Sequence, residues 1–140
     1  MSRTPSAAEL SALRTTVAAL ATNPAVVLSR TELATGARLV CTLLALRYPG
    51  GTVELRIPPS AAVQLGIGER GRHTRGTPPN VVQMDAATLL RLAGGSLTWD
   101  EARAIHAVRA SGVLADLALL WPLPDLEWNP PTPPSAMPHS

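Results

Sequence analysis

The sequence predicts a small α/β domain of the α+β type, and three observations support this class. The chain has 140 residues, 46% of them apolar, so it is long enough and apolar enough to bury one core. Segments in which apolar residues recur at helical spacing are followed by segments in which apolar and polar residues alternate. Proline and glycine separate these segments, as they do at turns. The order of the segments predicts a domain that combines helices with strands.

Two helices are predicted before the first strand. Ser6 followed by Glu9 is a capping-box pattern, and the apolar residues after it predict a helix over residues 6–21. A second helix is predicted from residues 29–31 to about Tyr48. Its two neighbouring apolar stripes indicate that a wide face is buried.

Alternation of apolar and polar residues predicts three strands in the middle of the chain. The first covers residues 52–57 and the second residues 61–67, separated by Pro58 and Pro59. A short third strand is predicted at residues 81–84. The glycine-rich and proline-rich stretch before it is predicted to be a turn and an irregular hairpin.

The C-terminal half is predicted to continue with two helices, a strand and a last helix. Asp85 is placed to cap a helix that residues 94–95, both glycine, would end, and residues 98–101 form a second capping box. Alternation predicts a strand at residues 108–112, and helical spacing predicts a short helix at residues 114–121.

The two ends of the chain differ from its middle. Seven of the fourteen prolines lie in the last nineteen residues. We therefore divide the chain into an N-terminal helical extension at residues 1–28, a domain at residues 29–123, and a disordered Pro-rich tail at residues 124–140. The tail is interpreted as a spacer or as a segment that docks into an aromatic groove of another protein.

Charge and apolar runs argue against several function classes. All twelve basic residues are arginine and are spread along the chain against ten acidic residues, so no nucleic-acid partner is expected. The longest apolar run is far shorter than the ~20 residues that a membrane span needs, and no secretory signal is expected.

Cysteine content and motifs bear on compartment and chemistry. The single cysteine, Cys41, favours a reduced, cytoplasmic setting, and its apolar neighbours predict an unreactive thiol. The sequence has no nucleotide-binding loop, serine-nucleophile motif or histidine pair at ligand spacing. We therefore expect no catalytic residue, no metal and no cofactor.

Two strings resemble a known family. Residues 53–64, VELRIPPSAAVQ, and residues 73–82, HTRGTPPNVV, resemble the actinobacterial sterol carrier family, the bacterial orthologues of the sterol carrier protein type 2 domain. The layout of the C-terminal half agrees too, and the resemblance covers roughly residues 32–123. It implies a mixed five-stranded sheet with helices on it around an apolar tunnel, so the fifth strand would fall within residues 66–79. The first helix and the Pro-rich tail look additional to this core.

The resemblance implies non-catalytic binding or carriage of an apolar, lipid-like molecule, fatty acyl or sterol-like, in an internal cavity. Burial of each methylene group would contribute about 0.8 kcal/mol. The candidate lining consists of apolar side chains predicted to face inward, namely Val40, Leu43, Leu44, Ile57, Leu89, Leu90, Ile105, Leu114 and Leu117. The same residues also suit an ordinary packed core, and that alternative stays open.

Four cationic or potentially cationic side chains within six residues form a candidate head-group site at the cavity mouth: Arg70, Arg72, His73 and Arg75. Arginine suits this role because it binds carboxylate and phosphate groups through two parallel hydrogen bonds. The alternatives are a solvated hairpin, or a structural ion pair between Arg75 and either Asp85 or Glu54.

A second function from a different class remains open. The chain would then be an accessory or interaction module for a separate enzyme, without a ligand of its own. An exposed apolar face without an internal cavity would favour this interpretation. Transient contact with a membrane, a protein partner and a homodimer are all compatible with the sequence.

Overall fold

The computed structural model describes residues 3–67 and 80–126. Its helices are α1 at Ala7–Thr22, α2 at Arg30–Arg47, α3 at Ala86–Gly94 and α4 at Trp99–Ala104. Its strands are β1 at Val53–Ile57, β2 at Ala61–Leu65, β3 at Asn80–Met84 and β4 at Val108–Ser111. A 3-10 turn follows at Ala118–Leu120.

Local side-chain caps define where the helices begin. Ser6, Ser29 and Thr98 form capping boxes at the starts of α1, α2 and α4, and Asp85 caps α3. Gly95 ends α3 in the left-handed conformation, with φ of 88°. The caps predicted for α1, α3 and α4 are therefore confirmed.

The sheet is mixed, with the strand order β2-β1-β3-β4. β1 pairs antiparallel with β2 and parallel with β3, and β3 pairs antiparallel with β4. Because β1 and β3 are parallel, they end at the same edge of the sheet, at Ile57 and Met84. We call this the carboxyl edge. The chain leaves it through Pro58 after β1 and through Asp85 after β3.

One apolar core lies between the sheet and the helices. α2 packs on β2, and α1 and α3 pack on α2 and on each other. Two glycines permit close approach of the helices: a Cβ on Gly36 would lie 3.0 Å from Leu90 Cδ2, and one on Gly94 would lie 2.9 Å from Val17 Cβ. Val17 and its α1 neighbours are buried in this same core, so α1 forms part of it.

The predicted five-stranded sheet is not what the described residues form, since they contain four strands. The fifth strand was expected within residues 66–79, and residues 68–79 lie outside the described residues. The second predicted strand also ends earlier, at Leu65. The reason is that the Gly66 amide donates to the Tyr48 carbonyl oxygen at 2.9 Å, which ties the chain to the end of α2.

The predicted helix at residues 114–121 is only the 3-10 turn at Ala118–Leu120. The Asp116 carboxylate accepts a hydrogen bond from the Ala118 amide at 2.9 Å, so this residue caps a turn within the predicted helix. The side chain of Leu126 is buried too, so the core includes a residue beyond the 3-10 turn.

Among the described helices, none is both long enough and apolar enough to cross a membrane.

Candidate functional site

Seven of the nine predicted cavity residues lie in the core: Val40, Leu43, Leu44, Ile57, Leu89, Leu90 and Leu117. All except Leu43 keep 0% of their surface exposed. A side chain that bordered a void large enough for water would keep some exposed surface. Beside these six side chains the described residues therefore leave no void of that size, which agrees with the ordinary-core alternative.

The other two predicted cavity residues lie at the surface, so their predicted inward orientation is wrong. Ile105 is 65% exposed because α4 ends at Ala104 and the chain turns at His106, which has a left-handed φ of 59°. Leu114 is 52% exposed. It follows the turn at Gly112, and its amide donates to the Asn80 side-chain oxygen at 3.0 Å.

The predicted head-group residues Arg70, Arg72, His73 and Arg75 lie outside the described residues. The strands before and after this segment show where it is attached. Leu65 at the end of β2 and Asn80 at the start of β3 both pair with Val53. Leu65 and Asn80 therefore both lie at the edge of the sheet opposite the carboxyl edge.

Cys41 is buried, and desolvation raises the pKa of its thiol to about 12. The thiol is therefore protonated near neutral pH, as expected for an unreactive cysteine. Within residues 3–67 and 80–126, no three histidine, cysteine or carboxylate side chains are grouped so that they could hold a metal ion.

The carboxyl edge carries a groove of about 490 Å³ between α2, the β1–β2 turn and the start of α3. We call it the apolar groove, because most of its lining is apolar: Leu33, Ala34, Pro58, Pro59, Ala86 and Ala87, with Arg30, Arg38, Ser60 and Asp85 as the polar members. Its volume lies within the range of about 300–1,000 Å³ that is typical of small-molecule sites. None of the nine predicted cavity residues lines it.

The charges of the apolar groove are mainly positive. Arg30 and Arg38 are exposed, and neither forms an ion pair with a carboxylate of the described residues. They lie eight residues apart on α2, which separates their Cα atoms by about 12 Å along the helix axis. The Asp85 carboxylate accepts a hydrogen bond from the Thr88 amide at 2.8 Å, as the cap of α3.

A second groove, of about 400 Å³, lies next to the first at the same edge. We call it the polar groove, since four of its seven lining residues are polar: Gln83, Asp85, His106 and Arg109, beside Pro58, Met84 and Ala107. Pro58 and Asp85 line both grooves. The two grooves therefore adjoin at these residues.

Sequence reasoning did not single out either groove. The signal that would have found them is the parallel pairing of β1 with β3, because ligands of α/β sheets commonly bind at the carboxyl ends of parallel strands. Alternating apolar residues predict a strand without showing the direction of its neighbour. Pro58 was interpreted only as a break between strands, and Asp85 only as a helix cap or as an ion-pair partner.

Comparison with known proteins agrees with the resemblance of the sequence strings. None of the curated proteins compared with the chain matches it. The family described as bacterial SCP ortholog matches residues 29–123, which is more than half of the chain. α1 lies outside the matched residues although it forms part of the same core. The chain therefore belongs to the bacterial SCP ortholog family, a membership that suggests lipid binding or carriage in general.

Proposed function

We propose that the protein binds a lipid-like molecule without transforming it, and that the apolar part of this molecule lies in the apolar groove. One observation carries the proposal: six apolar side chains from three elements line a single groove of about 490 Å³. An apolar chain placed there would gain about 0.8 kcal/mol for each methylene group removed from water. Family membership supports the same ligand class.

The apolar groove is favoured over the interior because the described core side chains are almost fully buried. Leu44 in α2 and Leu89 and Leu90 in α3 are fully buried, with 0% of their surface exposed. Protein cores are close-packed, so a ligand could enter only if such side chains moved apart. The groove needs no such rearrangement, since its lining already faces open space.

The test is a titration with 11-(dansylamino)undecanoic acid, whose fluorescence rises in an apolar site, against the wild type and Ala34→Trp. Ala34 lines the groove and is half-buried, so an indole there fills the groove without entering the core. We expect saturable one-site binding by the wild type and at least about tenfold weaker binding by the variant.

Ala45→Trp is the matched control, because Ala45 is a half-buried alanine of the same helix that does not line the apolar groove. It should bind as the wild type does. Equal binding by all three proteins would place the ligand elsewhere. Absence of saturable binding to the wild type would refute the proposed function itself.

A second candidate, an interaction module, is favoured by a separate observation. Val113 and Leu119 are 97% and 92% exposed, and Ile105 and Leu114 are exposed as well. If these side chains form one contiguous apolar patch, that patch would mark a protein contact. Sedimentation of the wild type and of the double variant Val113→Ser, Leu119→Ser tests self-association. This candidate predicts dimers that the double variant loses, and monomers for both proteins at high concentration would exclude a homodimer through these residues.

A further inference from the structure

We propose that the polar groove binds the anionic head group, a carboxylate or a phosphate, of the molecule whose apolar part occupies the apolar groove. This inference rests on the proposed function and adds the class of ligand: an amphipathic anion rather than a neutral lipid. It assigns head-group binding to Arg109, His106 and Gln83.

Three hydrogen-bond donors converge on the polar groove from different elements. Gln83 and Arg109 face each other in the β3–β4 pairing, which places their Cα atoms about 5 Å apart. His106 lies in the turn between α4 and β4. A guanidinium group donates two parallel hydrogen bonds to a carboxylate or phosphate, and the imidazole and the amide add further donors.

Charge in the groove favours an anion. Neither Arg109 nor His106 forms an ion pair with a carboxylate of the described chain. Asp85 is the single carboxylate in the lining, and its Oδ1 accepts the amide hydrogen of Thr88 in α3. An anionic head group would supply the partner that the two basic side chains lack.

The arginines of the apolar groove are less well placed for one head group. Arg30 and Arg38 are about 12 Å apart along α2, whereas Gln83 and Arg109 are direct neighbours in the sheet. A single carboxylate is small, so two donors can bind it together most easily when their Cα atoms are close. Less conformational entropy of the long side chains is then lost on binding. The polar groove therefore offers the more compact set of donors.

The two grooves are placed so that one molecule can occupy both. They share Pro58 and Asp85, and His106 lines the polar groove but not the apolar groove. The backbone at His106 is fixed by two hydrogen bonds, from its own amide to the Arg103 carbonyl oxygen at 3.1 Å and from the Ala107 amide to the Ala102 carbonyl oxygen at 2.9 Å. The imidazole is thus presented from a defined turn.

The test compares three ligands that share a twelve-carbon chain and differ in the head group: dodecanoate, dodecyl phosphate and dodecanol. Each displaces Nile red, a neutral apolar dye, from the wild type, Arg109→Gln and His106→Asn. Asparagine tolerates the left-handed backbone at position 106, so this variant removes the imidazole and keeps the turn. Arg103→Gln is the matched control, because Arg103 is exposed and lies outside the lining.

We expect the wild type to bind the two anions about tenfold more tightly than dodecanol. Arg109→Gln should remove most of this preference for anions, His106→Asn should remove part of it, and Arg103→Gln should leave it unchanged. The affinity for dodecanol should be the same in all four proteins. The tighter anion identifies the head group as carboxylate or phosphate.

Three results would overturn the inference while lipid binding stands. The first is equal affinity of the wild type for all three ligands. The second is an equal loss of anion affinity in Arg103→Gln and Arg109→Gln. The third is a loss of anion affinity in Arg38→Gln while Arg109→Gln binds the anions as the wild type does. Failure of every ligand to displace Nile red would instead refute the proposed function, and this inference with it.

Discussion

The interior beneath the helices and the grooves at the carboxyl edge are built largely from the same elements, yet only the grooves offer space. In the interior, the buried apolar side chains of α2, α3 and β1 belong to one core, and each keeps at most 8% of its surface exposed. At the carboxyl edge, β1 ends before Pro58 and Pro59, and α3 begins after Asp85. A concave surface lies there between α2, the β1–β2 turn and the start of α3. The spacing of apolar residues in the sequence indicates which side chains are buried. It does not indicate whether these side chains line a ligand cavity or pack against one another.

The difference follows from how layers pack. Regular elements that lie face to face reach the density of organic crystals. A turn that contains two prolines donates no backbone hydrogen bonds from those residues and cannot extend the sheet. At the carboxyl edge the packing of helices on the sheet therefore ends, while the strands remain paired up to that edge.

The largest effect is expected in the interior, from Leu90→Ala. Leu90 is fully buried against Gly36 of α2, so truncation should lower the free energy of unfolding by about 2–5 kcal/mol. Leu114→Ala is the matched control, since sequence reasoning placed both leucines in one cavity and the structure exposes Leu114. Its effect should stay within about 0.5 kcal/mol. Urea denaturation of both variants measures the two values.

A loss below about 1 kcal/mol for Leu90→Ala would contradict a filled core. Such a result would mean that Leu90 borders empty space and would return the ligand site to the interior. Equal losses for Leu90→Ala and Leu114→Ala would instead show that the two leucines have similar surroundings. Either outcome would remove the contrast between the interior and the edge.

A smaller effect is expected at the edge, from Asp85→Asn. Asparagine caps a helix about as well as aspartate, so the free energy of unfolding should hardly change. The substitution removes the carboxylate that lines both grooves, so binding of dodecanoate should tighten by about threefold. Dodecanol binding should stay the same, and fluorescence displacement measures both.

Asp100→Asn supplies the control for a general change in charge, because Asp100 is exposed on α4 and lines neither groove. Weaker binding of dodecanoate by Asp85→Asn would show that Asp85 assists the ligand instead of repelling it. An equal gain in both variants would attribute the effect to net charge alone.

The parts of the fold that sequence reasoning predicted well depend on signals within a few residues. The capping boxes at Ser6 and Thr98 and the glycine at position 95 define helix ends locally, and the alternation in β1 places Val53, Leu55 and Ile57 on the buried face. These interactions act within one helical turn or one strand, so no knowledge of the rest of the chain is needed.

What could not be predicted depends on distant partners. The parallel pairing of β1 with β3 joins residues 27 positions apart, such as Leu55 with Val82, and this pairing creates the edge where the grooves lie. The exposure of Ile105 and Leu114 depends on where elements end, which apolar spacing alone does not define. Sequence reasoning therefore chose candidate lining residues from apolar spacing alone, and most of them lie in the core.

The smallest effect is expected at the exposed start of α1, remote in sequence from the residues of both grooves. The hydrogen bond from Arg3 to Glu9, with that from the Ser6 amide, lowers the pKa of Glu9 from 4.5 to about 2. A carboxyl group whose pKa is lowered by folding stabilises the protein above its unfolded pKa, and this stabilisation is lost as the pH falls through the folded value. Glu9→Gln keeps an acceptor for the Ser6 amide but loses the charge. Its melting temperature should therefore lie slightly below that of the wild type at pH 7, and the gap should close between pH 4.5 and about 2. A difference in melting temperature that persists at pH 2 would show that the destabilisation comes from the geometry of the capping box. For Arg3→Gln, the difference in melting temperature from the wild type should close over the same pH range.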